Sequence, residues 1–525
     1  MIQKKFDLER VTYVSLPPDL EPHHRMFDRE LPEFRRSLGK NWPNRIGGKE
    51  DSDGEVYRAS SPIDANLILG SFVEASGSAI ARAVASARAA STEWNRTPWR
   101  QRVEVVRRIG RKLDVMKYDL ALAVMYEVGK TRMEALGETE EAVALLEYYC
   151  DEMERNGGFV SPSSSAMPGE SSQTLLRPLG VVAVICPFNY PVALSVNMTS
   201  AALVAGNAVV VKPSPAAGLT GGMLGKIFDD GDLPRGTFNL VCGAQAGARL
   251  VDEPGIDGFA FTGSHDVGMT IMRKMAAGPY MRPVMAEMGG KNPAYVAQSA
   301  DPLVAAEGIA RSAFGFQGQK CTACSVAFVH EDHYDAVLAD IVKRARALKV
   351  GDPTLARDIT NGPVINPATV ERYSRAAAHA GKSAKLLSGG NRVVAGDLAR
   401  GNFLEPMIVT DVAEDDWLLN TELFAPVLTV VPFTSLKDAI SRGNRVKFGL
   451  AAGFYGKDQE LDMFLDRAAA GVLYANRKTG ATTGAWPGIQ SFCGWKGSGL
   501  TGKGGLGPHY LPQFMREQSR TIREV

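Results

Sequence analysis

The sequence predicts an α/β protein organised on doubly wound parallel sheets, and three observations predict it. From Gly180 onward, apolar runs of four or five residues alternate with turn residues and then with helical patterns, the rhythm of parallel strands joined by crossover helices. Ahead of that region, residues 79–155 carry apolar side chains at helical spacing. At 525 residues the chain is too long for one ordinary core, so two to four domains are expected.

Taken in order, residues 1–57 are polar, with Pro17-Pro18, His23-His24 and Gly47-Gly48, and read as an extended arm packed on a body elsewhere. Helices follow, marked by Ile80, Ala83, Val84 and Ala87, then Ile109 and Leu113, then Leu120 and Val124, then Leu145 and Leu146. Glu127-Val128-Gly129-Lys130 marks a stop between two of them, and the acidic cluster Glu138, Glu140 and Glu141 reads as a solvated helix face. Residues 157–174, rich in Ser and Gly, read as a loop or hairpin excursion. Residues 181–185, 208–211, 237–241 and 258–262 are buried strands, each followed by turn residues. Ligands of such sheets bind at the carboxyl ends of the strands, where Lys212, Gly243 and Ser264 fall. In the second half, 292–297, 325–330 and 427–433 read as strands and 334–347 as a helix, with another strand opening after Phe448. The tail from Gly504 ends a short apolar run near Phe514, which suits an edge or intersubunit strand.

Composition is that of an ordinary folded domain, 45% hydrophobic and 22% charged, with a formal net charge of +1. Such balance gives no electrostatic case for nucleic acid or an anionic membrane. The most apolar run, 180–196, is interrupted by Pro187, Asn189 and Pro191 and is too short for a membrane span. No apolar stretch follows the charged start, and a cytoplasmic location is expected. The six cysteines have neither paired Cys-x-x-Cys units nor nearby histidines, so no metal site is expected.

The chemistry concentrates at Phe314-Gly315-Phe316-Gln317-Gly318-Gln319-Lys320-Cys321-Thr322-Ala323-Cys324, where one cysteine follows a Gly-rich turn and a lysine. Positive charge or backbone N–H groups lower a thiol's pKa and make the thiolate nucleophile available. Alternatives are a packed thiol, or a Cys321–Cys324 redox pair without a thioredoxin-like context. Upstream lie Ala286-Glu287-Met288-Gly289-Gly290-Lys291-Asn292-Pro293 and Pro187-Phe188-Asn189-Tyr190-Pro191. A nucleophile, a carboxylate base and an amide donor are what oxidation of an aldehyde to an acid requires; against this, Glu287 could be a turn carboxylate and Asn189 a helix cap.

At these residues the chain resembles the aldehyde dehydrogenase superfamily, from about Ser60 to about Phe514. The resemblance implies a Rossmann-type NAD(P)-binding domain from 1–156 and 178–288 that includes the N-terminal arm. It further implies an α/β catalytic domain at 289–497 and a small oligomerisation flap from 157–177 and 498–525. By the same resemblance Cys321 attacks the aldehyde, Asn189 and the Cys321 N–H hold the oxyanion, and Glu287 activates the hydrolytic water.

No Gly-x-Gly-x-x-Gly is present, but Gly263-Ser264-His265-Asp266-Val267-Gly268 opens a helix whose N–H groups favour a phosphate. The resemblance places Ser264 with Gly263 and Gly268 at the pyrophosphate, Lys212 and Ser214 at the adenosine ribose, and Gly243 beside them. It places Glu422 at the nicotinamide ribose, with Phe424 packing alongside. Pro215 stands where the superfamily often carries a ribose-binding acid, so NAD is the expected cofactor and NADP the alternative.

The stretch 483–494 (Thr-Gly-Ala-Trp-Pro-Gly-Ile-Gln-Ser-Phe-Cys-Gly) resembles the substrate-anchor loop of the 1-pyrroline-5-carboxylate (glutamate semialdehyde) dehydrogenases, with Asn476-Arg477-Lys478 before it and Gly507-Pro508-His509-Tyr510 after it. That likeness implies Gly484, Ala485 and Thr322 as carboxylate binders, with Tyr190 and Phe492 as aromatic walls. It also suggests a substrate role for Glu141, as the alternative to a solvated helix face. The departures are a longer loop, the bulky Trp486, Cys493 in place of a glycine, and Val326 in place of an arginine. The expected function is NAD(P)-dependent, hydrolytic oxidation of glutamate semialdehyde to glutamate, as a homodimer or dimer-built oligomer. The alternatives are another aliphatic or aromatic aldehyde, and a non-catalytic binding protein on the same fold.

Overall fold

The computed structural model describes residues 8–12, 16–165, 167–478 and 485–523. Two seven-stranded sheets carry it. In the first, strands run in the order Val284–Met288, Gly258–Gly263, Val181–Ile185, Ala208–Lys212 and Phe238–Leu240, all parallel. Val181–Ile185 and Ala208–Lys212 are buried along their whole length, as expected where helices cover both faces of a parallel sheet. Each fully buried valine or isoleucine stabilises the fold by roughly 1.5–3 kcal/mol relative to exposure.

The expectation of an extended arm at the N-terminus is corrected. Glu21–Arg36 is a helix that buries His23, Phe27 and Leu31, and Phe27 packs edge-on against Tyr118 at 5.6 Å. Asn44–Ile46 and Lys49–Asp51 then extend the first sheet antiparallel beyond Phe238–Leu240. The segment is polar because much of its surface faces solvent; two buried apolar side chains in this helix, Phe27 and Leu31, are too few to show as periodicity.

The second sheet runs Lys385–Ser388, Met407–Thr410, Val427–Phe433, Cys324–His330, Asn292–Val296, Ala451–Tyr455 and Val472–Ala475, antiparallel only at its first pair. A third, three-stranded sheet pairs Val160–Ser163 and Glu170–Pro178 with Met515–Arg523. The tail strand thus begins after Phe514, and the apolar run 511–514 is a buried 3-10 turn instead.

The helical stretch resolves into Gly77–Arg96, Trp99–Val115, Lys117–Val128 and Arg132–Arg155. Gly129 ends the third in a left-handed conformation, with φ of 76°. A Cβ there would stand 2.6 Å from the Pro363 ring. The reading of Glu138, Glu140 and Glu141 as a solvated face is corrected as well. Glu138 and Glu140 are fully buried, paired with Lys130 at 2.6 Å and Lys117 at 2.7 Å. Acids in a helix look solvated when their partners lie elsewhere in sequence, and here tertiary packing supplies the cations. Among the described residues, no helix is long and apolar enough to cross a membrane.

Because Gly129 joins a positive φ to a closed environment, Gly129→Ala is expected to destabilise the protein by about 2 kcal/mol. Urea unfolding of the variant beside the parent protein measures the loss.

Candidate active site

The nucleophile segment follows the helix Pro302–Phe314 and a short turn over 315–318 in which Phe316 and Gln317 adopt left-handed φ of 49° and 54°. The chain then reverses into the strand Cys324–His330, leaving Cys321 at the amino end of that strand. Asn292 fixes this reversal. Its side-chain amide donates to the carbonyls of Cys321 at 2.8 Å and Ala323 at 3.0 Å, and its oxygen accepts from the Ala451 N–H at 3.0 Å. Asn292 was visible in the motif, but its bonding was not; a buried amide following Gly-Gly is the signal that could have marked it.

Asn189 comes from the turn after Val181–Ile185. Its amide donates to the Gln319 carbonyl at 3.0 Å, which holds it against the nucleophile segment; an amide nitrogen has a second proton to offer. Glu287 is the penultimate residue of the strand Val284–Met288 and accepts from the Gly505 N–H at 2.7 Å. Burial pushes its carboxyl up to about 7, partly offset by that bond. Cys321 is half-buried. Burial, then Glu287, then Glu422, push its thiol up to about 12, while the N–H groups of Cys321 and Thr322 act in the opposite direction. The expectation that nearby positive charge lowers this thiol is therefore corrected: Lys320 lies with Glu134, 3.8 Å away, and the groups that dominate at the sulfur are acidic.

The cofactor positions gather at the carboxyl ends of the first sheet. Lys212 is buried, its ammonium pulled below the usual range by desolvation. A lysine at the carboxyl end of this strand suits the hydroxyls of a bound ribose. Ser214 caps the 3-10 turn Pro215–Ala217 by accepting from the Ala216 N–H at 3.3 Å. Ser264 opens the helix His265–Ala276 with no side-chain cap, leaving its first amides for an anion. Gly263 ends the preceding strand, and a Cβ on Gly268 would come within 2.4 Å of the Met288 sulfur. Around Gly243, by contrast, the amides are taken: Glu74 accepts from Ala244 at 2.6 Å, Gln245 at 2.9 Å and Ala246 at 3.1 Å. Gly243 is thus required because the Glu74 carboxylate stands where its Cβ would be. Glu422 accepts from the Gly290 N–H at 2.8 Å, and burial pushes it up to about 7. Phe424, with φ of 52°, meets Phe188 edge-on at 5.8 Å. The residues present fit a dinucleotide.

Of the substrate positions, Thr322 is buried beside Cys321 and Tyr190 packs edge-on against Phe316 at 6.2 Å. Phe492 pairs by its backbone with Gly505, and Ala485 packs into the core shared with Tyr190 and Phe316. Thr483 and Gly484 lie outside the described residues, as does the loop extension at 479–482. Val326 packs with Tyr295 and Phe328 inside the second sheet, so its exchange for arginine acts on the core rather than on the pocket. Glu141 is half-buried; burial, then Glu138, push its carboxyl up to about 8, and it heads the charges that act on Tyr190.

The aldehyde dehydrogenase family profile matches residues 49–519. A 1-pyrroline-5-carboxylate dehydrogenase of Geobacillus sp. is 33% identical over 516 residues, covering 96% of this chain and 97% of that protein. One of Bacillus mycoides is 33% identical over 513 residues with the same coverage. Among solved structures, a 1-pyrroline-5-carboxylate dehydrogenase from Thermus with bound NAD superposes with a TM-score of 0.91 at 29% identity, covering 99% of each chain. A 3,6-anhydro-L-galactose dehydrogenase in complex with NAP gives 0.85 at 30% identity, covering 92% of this chain and all of that one. With the family match spanning both sheets and relatives alike over nearly the whole length, this chain belongs to the aldehyde dehydrogenase family.

Proposed function

We propose that the protein oxidises L-glutamate 5-semialdehyde, the open form of 1-pyrroline-5-carboxylate, to glutamate with NAD, through a covalent thioester on Cys321. The observation that carries the reaction is the convergence of Cys321, Asn189 and Glu287, with the Glu287 carboxyl raised to about 7. The substrate reading rests on the full-length similarity to 1-pyrroline-5-carboxylate dehydrogenases and on the retained anchor segment.

In this reading Glu287, the neighbouring base, takes the thiol proton, and the thiolate sulfur bonds to the aldehyde carbon. The second Asn189 proton and the Cys321 N–H hold the resulting oxyanion, stabilisation by donors fixed before the reaction begins. Lys212, Ser214, Ser264 and Glu422 hold and orient NAD, which when bound supplies the hydride acceptor. The carbonyl that re-forms leaves a thioester, and Glu287, having released its first proton to solvent, draws a proton from the water that cleaves it. Thr322 and Ala485, with Gly484, take the α-carboxylate, and Tyr190 and Phe492 wall the chain of the substrate.

The first sheet with the N-terminal segment forms the cofactor domain in this proposal, the second sheet the catalytic domain. The third sheet has two largely exposed strands, Val160–Ser163 and Met515–Arg523. Three strands with so little buried face need a second surface to cover them, which favours a homo-oligomer built through this flap. Reduced thiols throughout suit a cytoplasmic location. Oxidation of a different aldehyde is the second reading, favoured by the 30% identity to a sugar-aldehyde enzyme and by the half-buried Cys493 and Trp486 of the anchor segment.

Initial rates of NADH formation with pyrroline-5-carboxylate, an aliphatic and an aromatic aldehyde decide between them: the first is expected to have the highest kcat/KM, and a preference for either other substrate overturns the assignment. Cys321→Ala is expected to abolish the NADH burst. Glu287→Gln is expected to lower steady-state turnover by about 10²–10⁴-fold, with the acyl-enzyme accumulating and detectable by mass spectrometry after acid quench. Because a base must be unprotonated to act, kcat is expected to fall as pH drops through about 7, where burial has placed Glu287. A kcat profile flat down to pH about 5, near the ordinary carboxylate range, contradicts that role.

A further inference from the structure

Behind the Asn189 turn lies a buried ion pair that the reaction as derived does not use. Lys130, just past the Gly129 helix stop, meets Glu138 of the next helix at 2.6 Å, with both side chains closed to solvent. An internal ion pair recovers its desolvation cost only when the remaining bonding capacity is also satisfied. Both partners satisfy it on catalytic segments. The second Glu138 oxygen accepts from the N–H groups of Val192 at 2.8 Å and Ala193 at 3.2 Å, directly after Asn189-Tyr190-Pro191. The Lys130 ammonium stands 3.4 Å from the centroid of the Tyr190 ring and 4.7 Å from that of Phe316, within range of a cation–π attraction strengthened by desolvation.

Tyr190 follows Asn189 directly, and Phe316 sits in the strained left-handed turn that leads to Cys321. One charge pair therefore reaches the amide donor's turn and the nucleophile's turn together. These two turns come from different sheets, and Asn189 bonds across to Gln319 between them.

We infer that Lys130 and Glu138 are positioning residues that clamp the Asn189–Ala193 turn to the Phe316 turn, setting the distance from the Asn189 amide to the Cys321 sulfur. The inference rests on the roles given above to Cys321 and Asn189. Charge is the active property: an uncharged side chain of equal length fills the space but neither pairs with Glu138 nor attracts the two ring faces. Misplacement of a reacting group by about 1 Å costs on the order of 100-fold in rate, so the expected signature is a loss in kcat with cofactor binding untouched.

The test compares Lys130→Met, which keeps length without charge, with Lys130→Arg, which keeps the charge, in the full-length protein. Stopped-flow NADH bursts give the hydride-transfer rate, and quenching of protein fluorescence gives the NAD Kd. Lys130→Met is expected to slow the burst on the order of 100-fold, with NAD Kd within about twofold of the parent, and Lys130→Arg to restore at least about tenfold of that loss. Should Lys130→Met fail to fold, Glu138→Gln, equal in shape and still able to accept from Val192 and Ala193, carries the same expectation. A burst within about threefold of the parent in the folded uncharged variant overturns the clamp. So does equal loss in the Met and Arg variants, which would mean packing and not charge. Cys321→Ala run alongside separates the layers: turnover persisting there defeats the nucleophile assignment, whereas a dead Cys321→Ala beside a full-rate Lys130→Met defeats only the clamp.

Discussion

The structure around the reacting centre depends on one buried amide. Asn292 binds the carbonyls of Cys321 and Ala323 with its nitrogen and the Ala451 N–H with its oxygen. It thereby ties the amino ends of three adjacent parallel strands. Parallel strands cannot be joined by a tight hairpin, so nothing local in sequence holds these ends in register. A side chain that meets three backbone groups at once, in a site closed to water, does. The close packing around it also explains the two glycines before it. A Cβ on Gly290 would press within 2.5 Å of the Asn292 side chain and 2.7 Å of the Cys321 carbonyl, and one on Gly289 within 2.2 Å of the Glu422 carboxylate.

From that tie the electrostatics follow. Glu287 precedes the glycines and Glu422 bonds to one of them, so two carboxyls are brought near one thiol. Both are pushed up to about 7 by burial, and burial first, then these two carboxyls, raise the thiol. In the mechanism proposed above, such a site disfavours a resting thiolate. That suits an enzyme whose sulfur must react with an aldehyde in the site and with little else.

The same logic of distant partners runs through the acidic helix Arg132–Arg155. Glu134, Glu138 and Glu141 lie one above another at helical spacing and face Lys320, Lys130 and Tyr190 respectively. On the sequence alone they are three acids on a helix, a pattern that solvent explains at no cost. Glu138 finds its cation eight residues back, just past the Gly129 stop, whereas the partner of Glu134 lies in the nucleophile segment, nearly two hundred residues later.

What the sequence determined by itself was whatever rests on local pattern. A strand such as Val181–Ile185, buried along its whole length, must be apolar at every position, and the chain says so. The helix stop at Gly129, the hairpin between 160 and 178, and the Cys321, Glu287 and Asn189 motifs are equally legible, because turns and chemistry each demand particular residues in close order. The tertiary structure alone decided which charges are buried, that the polar N-terminus folds as a helix and short strands, that the amides after Gly243 are spent on Glu74, and that Val326 belongs to the core. Each of those outcomes is set by a partner remote in sequence. Burial and pairing are properties of the assembled surface, which no short stretch of chain contains.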